Sequence, residues 1–501
     1  MFYNNNLGLK NITYKKYNLA SFKNGINTNI DEELLPLKTA TNTYNFNFNN
    51  GALKSGLGIK ECEFSYTLEN RNLKKKFIFP EGVDVLAVWE FTRYNIPAKR
   101  YESILLIYCS DQYIYQGYLY LENPLFMQMP LLKFSSIPKV ETYNLDGKDS
   151  VIFSTIEDGV YIWNPTINPY KVDSAPQITS MCFHYERLFA TVSGEKRTIW
   201  FSDDLDPTNW NVSLNEGGFI NLIDERGTSN KIVSFDDYLY VFREFGINRI
   251  TARATQEDFY VTELFTSSSR VYANTVMVCG DRIMFLANDG IYMFNGVTTT
   301  KLNLNLENLL NNLYNDSAVS AYFNGKYYLA CRMIFPDEEN VGCENFQSFK
   351  NNTLLEIDLK TYEINILRGV DIRFLNTINN VYESTLLACF YNGTNMCIGQ
   401  VATNIGEVMG DSTQKVWQSP RTSFGYPFKE KLLKSLTVTT KFDLEIEVNL
   451  DGRKKRFKLK GKEQPQNIYP RMKGYQMNIK FISNVSLADV SNPQIVVGFL
   501  W

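Results

Sequence analysis

Apolar and polar positions alternate with a period of two along most of this chain, in short runs broken by tight-turn residues. The run "NDGIYMFNG" (288–296) is nearly repeated as "EDGVYIWNP" (157–165). Asp-Gly suits a tight turn, and the alternating apolar and aromatic run after it suits a pleated, half-buried strand. With Tyr292 and Tyr161 as anchors, weaker copies place Ile114, Trp200, Asn248, Glu356 and Cys397 at the same point. The anchors fall 47, 39, 48, 44, 64 and 41 residues apart, and the long interval holds the polar loop "FPDEENVGCENFQSFKNN" (335–352). An earlier strand pair precedes each anchor, as in "SFDDYLYVF" (234–242), "VCGDRIMFLA" (278–287), "YFNGKYYLAC" (322–331) and "VYESTLLACF" (381–390).

Three or four short antiparallel strands in roughly 40–45 residues are the period and content of a β-propeller blade. The predicted fold is all-β: a propeller over 81–410 with a C-terminal antiparallel β-sandwich over 420–501. Seven blades fit best; six also fit, because the first copy is the weakest. On this reading Gly159 and Gly290 sit in turns, and Tyr161 and Tyr292 pack between blades. Residues 303–314, "LNLNLENLLNNL", predict a short helix with Leu306, Leu309, Leu310 and Leu313 on one face. Residues 1–80 form an N-terminal arm. Its stretch "NTYNFNFNNGALKSGLGI" (42–59) either closes the propeller ring or docks on a neighbouring subunit, since an open ring leaves strand edges exposed. In the sandwich, Asp451-Gly452 marks a hairpin in which Phe457 and Leu459 alternate with Arg456, Lys458 and Lys460.

Composition sharpens this picture in three ways. Aromatics are 14% and charged residues 21% of 501 residues, which excludes a disordered chain. No apolar run approaches the ~18–20 residues of a membrane helix, and the N-terminus has no compact apolar signal region, so neither membrane insertion nor export is expected. Eight scattered cysteines (Cys62, Cys109, Cys182, Cys279, Cys331, Cys343, Cys389 and Cys397) lack metal-ligand spacing and are expected as reduced core residues made in a cytoplasm. The net charge of −3 is uneven. Residues 420–501 carry 15 Lys+Arg against 7 Asp+Glu, leaving 36 against 47 for the remainder. Two surfaces with different neighbours are implied.

Chemistry is sparse. The single histidine, His184, lies in a strand and is read as structural; Ser-His-Asp, Cys-His and poly-His metal chemistry then have no basis. No phosphate-binding loop is present, and Gly56-x-Gly58 lacks the rest of a dinucleotide fingerprint. "FSDDLDPTNW" (201–210) offers Asp203, Asp204 and Asp206 as a calcium candidate in a blade loop. The alternative is a turn begun by Asp206-Pro207 and pinned by Trp210. The basic residues Lys454, Lys455, Arg456, Lys458 and Lys460 are candidates for partner contact. No cofactor and no catalytic residue are expected.

Four stretches carry a family resemblance: "FKNGINTNIDEELLPLKTATNTYNF" (22–46), "RLFATVSGEKRTIWFSDDLDPTNW" (187–210), "IVSFDDYLYVFREFGINRI" (232–250) and "IMFLANDGIYMFNGVTTTKLN" (283–303). Together with the C-terminal sandwich they resemble the β-propeller hub or nozzle proteins of bacteriophage tails, including the packaged-DNA-stabilising tail hub of short-tailed phages. The resemblance implies a non-catalytic virion protein, made in the bacterial host cytoplasm and placed in the tail. It implies a homo-oligomeric ring, often hexameric, that meets portal, adaptor and other tail proteins. Phage DNA would pass its channel without sequence-specific binding. Two other readings of the same fold are a carbohydrate-binding or glycosidase-like propeller and a monomeric propeller that binds a host protein.

Overall fold

Each repeat places its anchor in the third strand of an antiparallel blade. The computed structural model describes residues 12–500 apart from 20, 23, 49–50, 69–70, 120–124, 146, 214–215, 254, 311–313, 338–345 and 380–382. Cys343, Leu313 and residues 338–345 of the polar loop at 335–352 therefore lie outside the described residues.

Seven sheets form the propeller. Blade 1 runs from Val85–Asn95 to Met127–Lys133, blade 2 from Lys139–Leu145 to Ile167–Val172, and blade 3 from Ile178–His184 to Gly218–Asn221. Blade 4 runs from Ser229–Phe235 to Tyr260–Thr266, blade 5 from Met277–Val278 to Thr299–Lys301, and blade 6 from Val319–Phe323 to Ile364–Arg368. Blade 7 takes Asp371–Asn379, Ser384–Tyr391 and Met396–Ala402 from its own repeat. The first strand of each blade is innermost, and that of blade 7 packs against that of blade 1.

The turns do more than reverse the chain. Asp158 accepts hydrogen bonds from the Ser135 amide (2.7 Å) and hydroxyl (3.0 Å), in the segment joining blades 1 and 2. Asp289 accepts from the Tyr292 hydroxyl (2.7 Å) and Lys301 (3.0 Å), and Asp111 accepts from the Tyr115 hydroxyl (2.7 Å). Burial opposes ionisation of Asp158 and Asp289, but these donors outweigh it and hold both carboxyls below the usual range. Tyr161 packs edge-on to Phe134, in the same inter-blade segment, and Tyr292 stacks on Phe285 while also reaching Phe265 of blade 4.

The ring is closed by the N-terminal arm. Gly58–Lys60 pairs antiparallel with residues 400–402 as the fourth strand of blade 7, and Ile59 is fully buried there. The other flank of Ile59 meets Val408 in parallel. A Cβ at Gly58 would collide with the carbonyl oxygen of Glu407 and lie 2.7 Å from Ile405 Cγ1. Gly58→Val is therefore expected to force this strand out of register and cost about 1–3 kcal/mol, read as a lower urea midpoint. An unchanged midpoint would show that the closing strand is not needed.

The same arm also builds the sandwich, which is not made from 420–501 alone. One sheet orders Phe46–Asn47, Leu53–Ser55, Asp489–Leu500, Lys431–Thr440 and Lys462–Ile468, with Ile12–Asn18 also on Asp489–Leu500. The other orders Asn42–Tyr44, Lys415–Gln418, Met477–Ser483, Leu444–Leu450 and Arg453–Leu459. Asp451 and Gly452 both have positive φ, as a two-residue type I′ hairpin requires. One apolar core runs from the sandwich (Val448, Phe481, Val497) into blade 5 (Met284, Leu286) and blade 6 (Leu329, Cys331).

The helix expected over 303–314 is a single turn, Glu307–Leu310, among the described residues. Asn305 sits in the left-handed region (φ 58°), which an α-helix cannot continue through. Leu302, Leu304 and Leu306 are buried along the irregular segment that leads into that turn.

Candidate functional site

Where the innermost strands begin, the propeller axis holds a cavity of 290 Å³ walled by all seven blades. Its charged residues are Lys139 and Glu141 from blade 2, Lys231 from blade 4 and Arg373 from blade 7, with Trp89 and Phe374 as aromatic wall. In an inner strand, alternate side chains face the axis, so Lys139 and Glu141 share one face. Arg373 is held by Asp371, which is fully buried, through an Nε contact of 2.8 Å.

Lys139 is exposed and Glu141 and Lys231 are half-buried, yet protein surrounds all three closely enough to disfavour their charged forms or bring those charges together. Burial pushes the Glu141 carboxyl up to about 7, against the pull of Lys231. Burial brings Lys139 down to about 8, and Lys231 adds to that fall. Among the cavity-lining residues Glu141 is the only carboxylate. Glycoside hydrolysis most often uses a pair of carboxyl groups about 5–10 Å apart.

The residues singled out in the sequence are placed elsewhere. Asp206 accepts from the Thr208 amide (2.8 Å) and hydroxyl (2.6 Å), and Trp210 is buried with its indole donating to Pro207 O (3.0 Å). Asp203 accepts from the Asp204 amide (2.7 Å) and from Asn209 (3.2 Å). These are the bonds of a pinned turn, and among the described residues no group of three His, Cys, Asp or Glu converges on a metal position. His184 is buried, hydrogen-bonds Ser234 Oγ through Nδ1 (2.8 Å), and is held down to about 4 by burial and by Arg253. Of the described cysteines six are buried and Cys397 is half-buried, all as free thiols.

The basic hairpin is largely spent within the chain. Lys454 pairs with Glu447 (3.2 Å), Arg456 with Glu447 (2.8 Å) and Glu445 (3.5 Å), and Lys460 with Asp443 (2.6 Å). Lys455 donates to Pro470 O (2.9 Å), while Lys458 is exposed opposite Glu445. The acidic stripe on Leu444–Leu450 was legible as "FDLEIEVNL", but cross-strand pairing with it was not drawn from the sequence. The axial charges were also missed. Their signal is a Lys, Glu or Arg interrupting the first strand of a blade, as in "PKVETYN", "NKIVSF" and "DIRFL".

No protein-family model matches the sequence, and no curated protein matches it. Among solved structures, the chain is similar to the Pan2 WD40 domain of Neurospora crassa, at 8% identity over 65% of this chain and 97% of that one, with a TM-score of 0.35. It is also similar to BBS1N, solved in complex with ARL6DN, at 10% identity over 65% and 89% of the two chains, with a TM-score of 0.30. The propeller assignment rests on the seven sheets themselves.

Proposed function

We propose that this chain is a non-catalytic structural subunit of a bacteriophage tail, a hub or nozzle component that assembles as a ring around the DNA exit channel below the portal and adaptor. One observation carries the reading beyond the family resemblance: the molecule has two unlike flanks held in one body. The sandwich is fused through a common core to blades 5 and 6. Across the propeller, blades 1 and 2 present an exposed apolar rim. Ile78, Leu125 and Leu131 are 66%, 65% and 58% exposed, beside Met127–Lys133, which is an edge strand among the described residues. Closed rings of identical subunits need a heterologous interface with two different patches, and isolated apolar edges are otherwise avoided. DNA would run through the centre of the ring of subunits, since the 290 Å³ axial cavity of each propeller admits only a small molecule.

The test is the mass in solution by light scattering, alone and mixed with tail proteins. The expected result is a ring of several copies, and a strict monomer in both conditions overturns the reading. Leu131→Asp is expected to leave the monomer folded and abolish the ring; unchanged assembly moves the interface off this rim. Reversing Lys454, Arg456 and Lys460 is a poorer probe, because it would break the hairpin's own ion pairs.

A further inference from the structure

We propose that the axial cavity of the propeller is a binding site for a phosphate-type oxyanion, held by Lys139, Lys231 and Arg373. Several lysines elsewhere in the chain are held by partners within it. Lys415 donates to three carbonyl oxygens, those of Gly406 (2.9 Å), Thr413 (3.0 Å) and Val485 (2.7 Å). Lys431 donates to the carbonyls of Tyr426, Lys429 and Tyr475 at 2.6–2.8 Å. Lys326 pairs with the buried Glu356, and Lys480 with Asp337. Lys139, which is exposed, and the half-buried Lys231 are not held in this way. They line one cavity, Lys139 feels the charge of Lys231, and neither has a hydrogen bond or ion pair among the described residues.

Two like charges facing the same enclosed space raise the free energy of the empty site. An anion with several oxygens removes that cost and accepts charge-assisted hydrogen bonds from both ammonium groups. Arg373 adds a planar donor already oriented by Asp371, and Asn274 supplies an amide at the wall. Propeller axes offer a concave, preformed site to which several blades contribute one group each.

Glu141 sets the pH behaviour. The groups facing it are Lys139 on its own strand, Lys231 on blade 4, the Cys182 thiol on blade 3 and the Arg373–Asp371 pair on blade 7. An anion repels the Glu141 carboxylate and stabilises its protonated form, and it likewise stabilises charged Lys139. Glu141 ionises near 7 and Lys139 loses its charge near 8. Binding is therefore tightest at low pH and weakens as pH rises from about 6 to about 9. This inference does not depend on ring assembly.

The experiment is calorimetric titration of the full chain with sodium sulfate, which does not itself titrate in this range, at constant ionic strength made up with chloride. The expected result is saturable binding that falls with rising pH and is at least about tenfold weaker in Lys139→Gln/Lys231→Gln, the effect of removing charged hydrogen-bond donors. Glu141→Gln is expected to bind more tightly at about pH 8 with a flatter pH profile; it decides the matter if the double lysine variant does not fold. Inorganic phosphate and glycerol phosphate separate the sources. Equal binding assigns a free anion, and tighter binding of the ester assigns a phosphate carried on a small molecule. Absence of sulfate and phosphate binding above chloride overturns the proposal. So does binding unchanged in the double lysine variant, which would place the anion elsewhere, or a Glu141→Gln profile identical to that of the unaltered chain.

Discussion

Asp337→Ala is expected to lower the unfolding free energy by about 3–5 kcal/mol, the cost of leaving a buried charge without its partner. Asp337 ties three parts of the molecule together. Its carboxylate meets Arg368 of blade 6 (3.3 Å), Lys480 of the sandwich (3.1 Å), and Asn42 (2.8 Å) and Tyr44 (3.0 Å) of the N-terminal arm. Arg368 is fully buried, with its guanidinium over the rings of Tyr44 (4.6 Å) and Phe335 (4.2 Å). Alanine removes the Asp337 carboxylate from beside that desolvated guanidinium, against a total stability of only about 5–15 kcal/mol for a typical domain. The expected signature is a split of one thermal transition into two, as sandwich and propeller lose their shared anchor; a single transition at the original midpoint would refute it. The pH dependence has a fixed sign. Burial opposes ionisation of Asp337, but Lys480, Asn42 and Arg368 outweigh it and hold the carboxyl below the usual range. A depressed folded value means the contribution is complete above the unfolded value, about 3.9, and is lost as pH falls through the folded one. Acid unfolding should therefore be less steep in Asp337→Ala.

The parts of this arrangement that were legible in the sequence are those written in local chemistry. Asp-Gly turns before Tyr161 and Tyr292 and an Asn-Gly turn before Cys397 fix register without help from distant residues, and all seven anchors, from Ile114 to Cys397, lie in third strands. Asp236, Asp237, Asn324 and Gly325 have the positive φ that their hairpins need. What escaped is written in long-range pairing. Residues 42–47 and 53–55 form strands of two or three residues, too short to show a period. They exist because Asn42–Tyr44 pairs with Lys415–Gln418 and Leu53–Ser55 with Asp489–Leu500, more than 350 residues away. The helix at 303–314 was over-read because spacing alone does not separate a leucine face from an extended "LNLNL" run, whereas Asn305 decides it through its backbone. Lys139, Glu141 and Lys231 looked like ordinary solvated strand positions; only closure of seven sheets turns their common face into the wall of a cavity.

Trp417→Ala is expected to cost a further about 3–5 kcal/mol, the range for truncating a large buried aromatic. Trp417 is fully buried, edge-on to Phe22 (4.8 Å) and 5.7 Å from Phe481, so it joins the arm to a sandwich strand. Its own strand, Lys415–Gln418, lies between Asn42–Tyr44 and Met477–Ser483. A cavity there removes what Phe22 packs on, and the pairing of Asn42–Tyr44 weakens with it. Because the same arm goes on to close blade 7 through Gly58–Lys60, damage in the sandwich is transmitted to the ring. Limited proteolysis should then cut Trp417→Ala within residues 12–55 at denaturant concentrations where the unaltered chain resists. Trp417→Phe separates volume from polarity. The indole Nε1 is buried without a partner among the described residues, and an unsatisfied buried donor costs about 1–3 kcal/mol. Phenylalanine removes that donor while keeping most of the ring, so its net effect should stay within about 1.5 kcal/mol. If Trp417→Phe were instead as damaging as Trp417→Ala, the indole would have to be fixing the position of the arm by more than packing, and the route from sandwich core to ring closure would run through its N–H.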